Sequence, residues 1–143
     1  MSLLEQVIIK GSTKEKPIWL MRQAGRYLPE FREIREKNQN FIQLCLNEKL
    51  VPEITLQPLK RFNIDAAIIF SDILMLPYGI GQKVEFIKNF GPRLGELKEV
   101  NFNKVNENSF SERLLPVYNS MKLISKELEN KNKSLIGFVG APW

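Results

Sequence analysis

A chain of 143 residues suits one ordinary domain, and its 43% apolar and 26% charged content is that of a folded globular protein rather than a disordered one. The net charge of +5 admits nucleic acid, anionic lipid or a polyanionic small molecule; the basic residues are scattered singly with no aromatic interleaving, so nucleic acid is set aside. With no histidine and a lone cysteine, Cys45, an internal disulfide, a Cys–His nucleophile and ordinary zinc chemistry are excluded as well, and no metal is expected.

In chain order, the start from Met1 to Lys10 lacks a basic leader, and Glu5 interrupts its apolar stretch. No run approaches a membrane span, so no membrane partner is expected and the chain reads as cytoplasmic. Pro17 to Met21 reads as a first strand. Pro29 to Lys37 reads as a helix with proline in its first turn and Phe31, Ile34 and Arg35 near one face. Asn40 to Asn47 gives a second helix, presenting Phe41, Leu44 and Cys45 at helical spacing, with Cys45 as a core residue. A third helix follows from Pro52, with Ile54, Leu59 and Phe62 inward and Pro58 expected to kink or end it.

Ala66 to Phe70 is a continuous apolar run, the pattern of a strand covered on both faces in a parallel sheet. From Met75 to Gly95, prolines and glycines are expected to break up everything except a short strand at Val84 to Ile87. Gly79-Ile80-Gly81 lacks the third glycine of a dinucleotide fingerprint, with Val84 in its place, and is not read as a phosphate loop. Val100 to Ser109 reads as a surface loop. Ser109 with Glu112 forms a possible capping box, with Pro116 as the alternative helix start. Downstream, Val117, Met121, Ile124 and Leu128 make one apolar stripe. Leu135 to Val139 is the third buried strand candidate. Helix-then-strand order argues for βα units and an α/β fold. There are no internal repeats.

The segment Pro17-Ile18-Trp19-Leu20-Met21-Arg22-Gln23-Ala24-Gly25-Arg26-Tyr27-Leu28-Pro29-Glu30 carries the most chemistry. If Ile18 to Met21 is a strand, Arg22 and Arg26 belong to the loop leaving it, with Gly25 allowing a tight turn and a close ligand approach. Two guanidiniums on such a loop suit a ligand bearing several carboxylates, each bound bidentately. Surface salt bridges are the alternative use of both. Asp72 follows the second strand candidate, where it could be catalytic or cap the next helix.

That fourteen-residue string closely resembles the N-terminal signature of the uroporphyrinogen decarboxylase family. Two further stretches resemble the family in the same order: Thr55-Leu56-Gln57-Pro58-Leu59 leading to Asp65 through Leu74, and Leu135 to Trp143. The resemblance runs from about Pro17 to Trp143 and is weakest from Gln82 to Lys133. It implies an α/β fold, the N-terminal part of a (β/α)8 TIM barrel. A whole barrel typically needs about 250 residues, so residues 1–143 are expected to be a single partial domain, too short to close one alone. The family's function is decarboxylation of the four acetates of uroporphyrinogen III to coproporphyrinogen III in haem biosynthesis, with no cofactor.

By resemblance, the substrate is a polycarboxylate tetrapyrrole. Asp72, Arg22 and Arg26 are expected to be catalytic, and Arg22, Gln23, Ala24, Gly25, Arg26, Arg35 and Asp72 to bind substrate, Gln23 to Gly25 through backbone. Arg35 could instead be a solvated helix residue. The family is usually a homodimer, and its site also uses a tyrosine just after the Ala-Pro-Trp segment and a histidine near its C-terminus. Neither is in this sequence, so the 143-residue chain alone is expected to show little or no activity. Two alternatives stand beside this reading: a non-catalytic polyanion- or porphyrinogen-binding module, and a corrinoid-linked methyltransferase relative, which the intact Arg-Gln-Ala-Gly-Arg loop argues against.

Overall fold

The structure is a computed structural model describing residues 1–87 and 90–140. Its elements run α1 (Leu3–Lys10), α2 (Pro29–Lys37), α3 (Phe41–Cys45), α4 (Leu50–Arg61), β1 (Ala66–Ile68), α5 (Met75–Gly79), β2 (Val84–Ile87), β3 (Gly91–Leu94), α6 (Glu107–Glu129) and β4 (Ser134–Ile136). β1 and β4 pair in parallel, with Ala67 opposite Leu135, and β2 and β3 form an antiparallel hairpin. Helices precede each strand of the parallel pair, giving the mixed α/β organisation that the element order implies.

The core lies where α2, α3, α4 and α6 converge on β1. Leu28, Leu44, Val51, Ile54, Ala67, Ile124 and Leu128 are almost fully enclosed there. Phe70, just beyond β1, meets the ring edges of Phe31 at 5.6 Å and Phe41 at 5.8 Å, and Phe41 packs on Phe86 at 4.7 Å. Aromatic contacts thus fasten the hairpin to α3, and α3 to the sheet. α2 has the expected bounds, and the stripe on α6 faces the core as its 3.6-residue spacing requires.

Several expected boundaries move. The start is helical: Ser2 caps α1 reciprocally with Glu5, and Gly11 ends it at φ 75°. Pro58 does not end α4, which continues to Arg61 with Pro58 buried inside it, and Phe62 is 42% exposed rather than inward. The region from Met75 to Gly95 is more ordered than its glycines and prolines suggest, adding α5 and β3. Val100 is buried, so the expected loop is anchored at its start. The capping box of α6 is Asn106 with Ser109, not Ser109 with Glu112; Asn106 accepts from the Ser109 N–H, and Ser109 Oγ accepts from the Asn106 N–H. Pro116 lies inside α6 and does not start it. The bond it cannot make would have gone to the carbonyl of Glu112, an exposed residue where water can replace the lost donor.

The largest revision concerns Pro17 to Met21, which is not a strand. Ile18, Trp19, Leu20 and Met21 are exposed, Met21 by 80%. Among the described residues one point of attachment holds them: the Asp65 N–H donates to Ile18 O at 2.7 Å, and the Ile18 N–H donates to Asp65 Oδ2 at 2.7 Å. The third strand candidate is also shorter, since only Ser134–Ile136 pairs while Phe138 and Val139 are exposed. Ala141, Pro142 and Trp143, the end of the third family-like stretch, lie outside the described residues.

Candidate functional site

β1 carries its hydrogen bonds on two sides, and the side away from β4 is satisfied without a neighbouring strand. There the Gln23 carboxamide takes the place of a backbone: Nε2 donates to Ala66 O at 2.9 Å and Oε1 accepts from the Ile68 N–H at 3.0 Å. Farther along, Thr55 Oγ1 accepts from the Phe70 N–H at 2.9 Å while donating to Val51 O at 2.7 Å. Buried backbone groups require such partners. Gln23 and Thr55, both buried, supply them from side chains.

This arrangement fixes the arginine loop. Gln23 is enclosed, Ala24 packs against the core, and Leu28, with its N–H donating to Gly25 O at 3.0 Å, is 1% exposed. Arg22, just before the first of these anchors, and Arg26, between them, are exposed to solvent, and neither guanidinium has a hydrogen bond or ion pair among the described residues. Surface salt bridges therefore do not occupy them there. The backbone of Arg26 is steadied by Arg32, whose Nη1 donates to Arg26 O at 2.7 Å. Gly25 differs from expectation: its φ is not left-handed, and a Cβ there would meet only the Tyr27 ring at 3.7 Å, an ordinary contact. The backbone turn does not need glycine, and the space above it is open.

Asp72 lies four residues beyond β1 and is half-buried. Its Oδ1 accepts from the Leu74 N–H at 2.8 Å, and its backbone O accepts from the Met75 N–H at 3.1 Å, which sets the turn entering α5. The capping alternative is thus partly realised through one oxygen; Oδ2 has no hydrogen bond among the described residues. Arg35 is half-buried on α2, donating Nη1 to the carbonyls of Asn38 and, at 2.8 Å, Gln39, with its guanidinium 5.3 Å from the Phe41 ring centre. It is engaged at the end of its own helix rather than solvated.

Asp72 and Arg35 both act electrostatically on Cys45. That thiol is pushed up to about 12, chiefly by burial and in smaller part by the Asp72 carboxylate, while Arg35 opposes the rise. Cys45 is accordingly a neutral core thiol, in keeping with the reading of its sequence context. Arg22 and Arg26 lie on the loop that Gln23 ties to β1, the strand that leads to Asp72.

A second fastening was not legible in sequence. Arg61, at the end of α4, donates Nε to Glu30 Oε1 at 2.7 Å and Nη2 to Oε2 at 2.8 Å. This bidentate pair ties α4 to α2 and holds the Glu30 carboxyl at about 2. Tyr27 sits nearby, its phenol pushed up chiefly by burial while Arg61 draws it down. The glycines at 79 and 81 also find a use in packing: a Cβ on Gly79 would lie 2.4 Å from the Phe110 ring, and one on Gly81, at φ 91°, 2.4 Å from Arg113. They let α6 settle on α5. Among the described residues no helix is long and apolar enough to cross a membrane.

The chain matches the family model for uroporphyrinogen decarboxylase over residues 1–143. It is similar to the uroporphyrinogen decarboxylase of Rickettsia massiliae (strain Mtu5), 46% identical over 142 residues covering 98% of this chain and 41% of that protein. The uroporphyrinogen decarboxylase of Rickettsia bellii (strain RML369-C) is 47% identical over 135 residues, covering 94% of this chain and 39% of the relative. The chain thus spans about two fifths of the length of the curated relatives it matches. An arginine loop clamped to a strand that leads to a half-buried aspartate, with similarity along nearly the whole chain, leads to one conclusion: this chain belongs to the uroporphyrinogen decarboxylase family.

Proposed function

We propose that residues 1–143 form a single partial domain, the N-terminal part of a (β/α)8 barrel. In the cytoplasm they would contribute substrate-binding and catalytic groups to the conversion of uroporphyrinogen III to coproporphyrinogen III, with no cofactor. The observation that carries this reading is the Gln23 clamp, because it joins the loop bearing two arginines, unengaged among the described residues, to the strand preceding Asp72. The active protein is read as a homodimer, and the chain alone as having little or no activity.

Each decarboxylation replaces an acetate carboxylate by hydrogen. Protonation of the pyrrole carbon creates an electron sink; the C–C bond electrons flow toward the ring as CO2 departs. The methylene left behind takes up a proton to become methyl, and the ring returns its own proton. Net, one proton is consumed and one CO2 released per acetate. The cationic ring intermediate concentrates charge near its N–H groups. The Asp72 carboxylate, its geometry set by the bond to Leu74 N–H, would stabilise that charge, a preorganised contribution of about 3–4 kcal/mol for one group. Arg22 and Arg26 would bind the substrate's carboxylates, with Ala24 and Gly25 offering backbone at the same loop. Arginine is a poor proton donor, so its part in any proton delivery is indirect. Arg35 would add positive potential from α2.

The test uses this chain joined to the remaining portion of the R. massiliae relative, assayed anaerobically. Asp72→Asn keeps an oxygen to accept from Leu74 N–H while removing the charge. We expect turnover to fall roughly 10²–10³-fold, with affinity for porphyrinogen nearly unchanged. Turnover equal to the parent would refute the catalytic assignment.

A further inference from the structure

Gln23, expected from family resemblance to meet substrate through its backbone, has a side chain wholly engaged elsewhere. Its two carboxamide atoms bond Ala66 O and Ile68 N–H in the manner of a paired strand, and it is 4% exposed. Among the described residues only the Asp65–Ile18 hydrogen bonds also tie the preceding segment to the chain entering β1, and the residues between, Trp19 to Arg22, are exposed. Without Gln23, the stretch between the attachment at Ile18 and the buried Leu28 has no hydrogen bond to the sheet among the described residues. We propose that the Gln23 side chain is a positioning residue. It presets the separation of Arg22 and Arg26 from the strand that leads to Asp72, and so determines affinity for a polycarboxylate ligand. The inference rests on the function proposed above but assigns to Gln23 a role without ligand contact.

The geometry sets the requirement at this position. A side chain must donate to one strand carbonyl and accept from an N–H two residues on, which a primary amide does and a carboxylate or thioether does not. Glutamate would place an acceptor against Ala66 O. Methionine would fill the space and leave both backbone groups unpaired. Asparagine is too short by one methylene to reach both. The effect on the ligand comes from preorganisation, since a loop that must be ordered during binding loses part of the interaction energy to that ordering.

The experiment titrates this chain, joined to the remaining portion of the R. massiliae relative, with uroporphyrin, the stable fluorescent octacarboxylic porphyrin, which needs no turnover. Compared are the parent, Gln23→Met, the double variant Arg22→Gln/Arg26→Gln, and Ile124→Val as a remote core variant that lowers stability without touching the loop. Amide hydrogen exchange at Ile68 reports the clamp directly. The expectation is a dissociation constant raised roughly tenfold in Gln23→Met, the scale of ordering one long side chain on binding. Ile68 exchange should quicken in that variant, and Ile124→Val should bind like the parent. If Gln23→Met binds like the parent while the double arginine variant does not, the positioning role is overturned and the function proposed above survives. An equal loss in Ile124→Val would reduce Gln23 to a general stability effect and also overturn the inference. Absence of binding by the parent would overturn both readings.

Discussion

Gly25 and Cys45 show how far a residue type can be trusted on its own. Glycine between two arginines invites a conformational explanation, yet its backbone is not left-handed and its Cβ position is unobstructed. Gly25→Ala should therefore leave the melting temperature almost unchanged, within about 0.5 kcal/mol as for surface substitutions. If ligand lies against the loop, the added methyl should weaken uroporphyrin binding all the same. A large stability loss, read by thermal unfolding, would restore the conformational explanation. Cys45 should resist thiol reagents at pH 8 in the folded chain and react once the chain is unfolded. Its thiol titrates near 12 when folded, against 9.0 ordinarily, so the folded state holds the extra proton between these values. Stability tied to Cys45 is thus fully present below about pH 9 and declines as pH rises toward 12, and Cys45→Ala should flatten that decline.

At the scale of elements, Glu30 and Arg61 bridge α2 and α4, and the carboxyl is held near 2. A depressed carboxyl stabilises the fold above its ordinary value of 4.5 and loses that contribution as pH falls toward 2. NMR titration of Glu30 should show this low midpoint, and Arg61→Gln should return it toward 4.5. Gln57, in the middle of α4, has both carboxamide atoms buried with no partner among the described residues. Gln57→Met should raise stability by about 1–3 kcal/mol, the cost of a buried unsatisfied polar group, as measured by denaturant unfolding. Elements whose signal is their own periodicity were legible in the sequence: α2 by its proline start and apolar face, β1 by its uninterrupted run, α6 by its stripe. Elements that depend on a partner were not. Pro17 to Met21 has a strand's composition, but the edge of β1 away from β4 is occupied by the Gln23 side chain, which no spacing rule reveals. Pro58 reads as a breaker and Pro116 as an alternative helix start because local propensity knows nothing of the core contacts that hold α4 and α6 together. That Arg22 and Arg26 share one loop was legible from their spacing around Gly25; the anchorage of that loop by Gln23 was not, since it depends on residues more than forty positions away.

For the molecule as a whole, a well-packed helical layer lies against a parallel sheet of two strands. Ile18, Trp19, Leu20 and Met21 beside β1, Ile73 near Asp72, and Phe138 and Val139 past β4 leave apolar surface exposed. In the proposed barrel, further strands would cover this surface, and the site would be completed by groups beyond the two fifths of the family's length that this chain represents. The most direct test of the account compares anaerobic turnover of uroporphyrinogen III by the 143-residue chain alone and by the chain joined to the remaining portion of the R. massiliae relative. Coproporphyrinogen III should form with the joined protein and hardly at all with the chain alone. A folded joined protein that forms none, or a chain that turns over equally well by itself, would contradict the account.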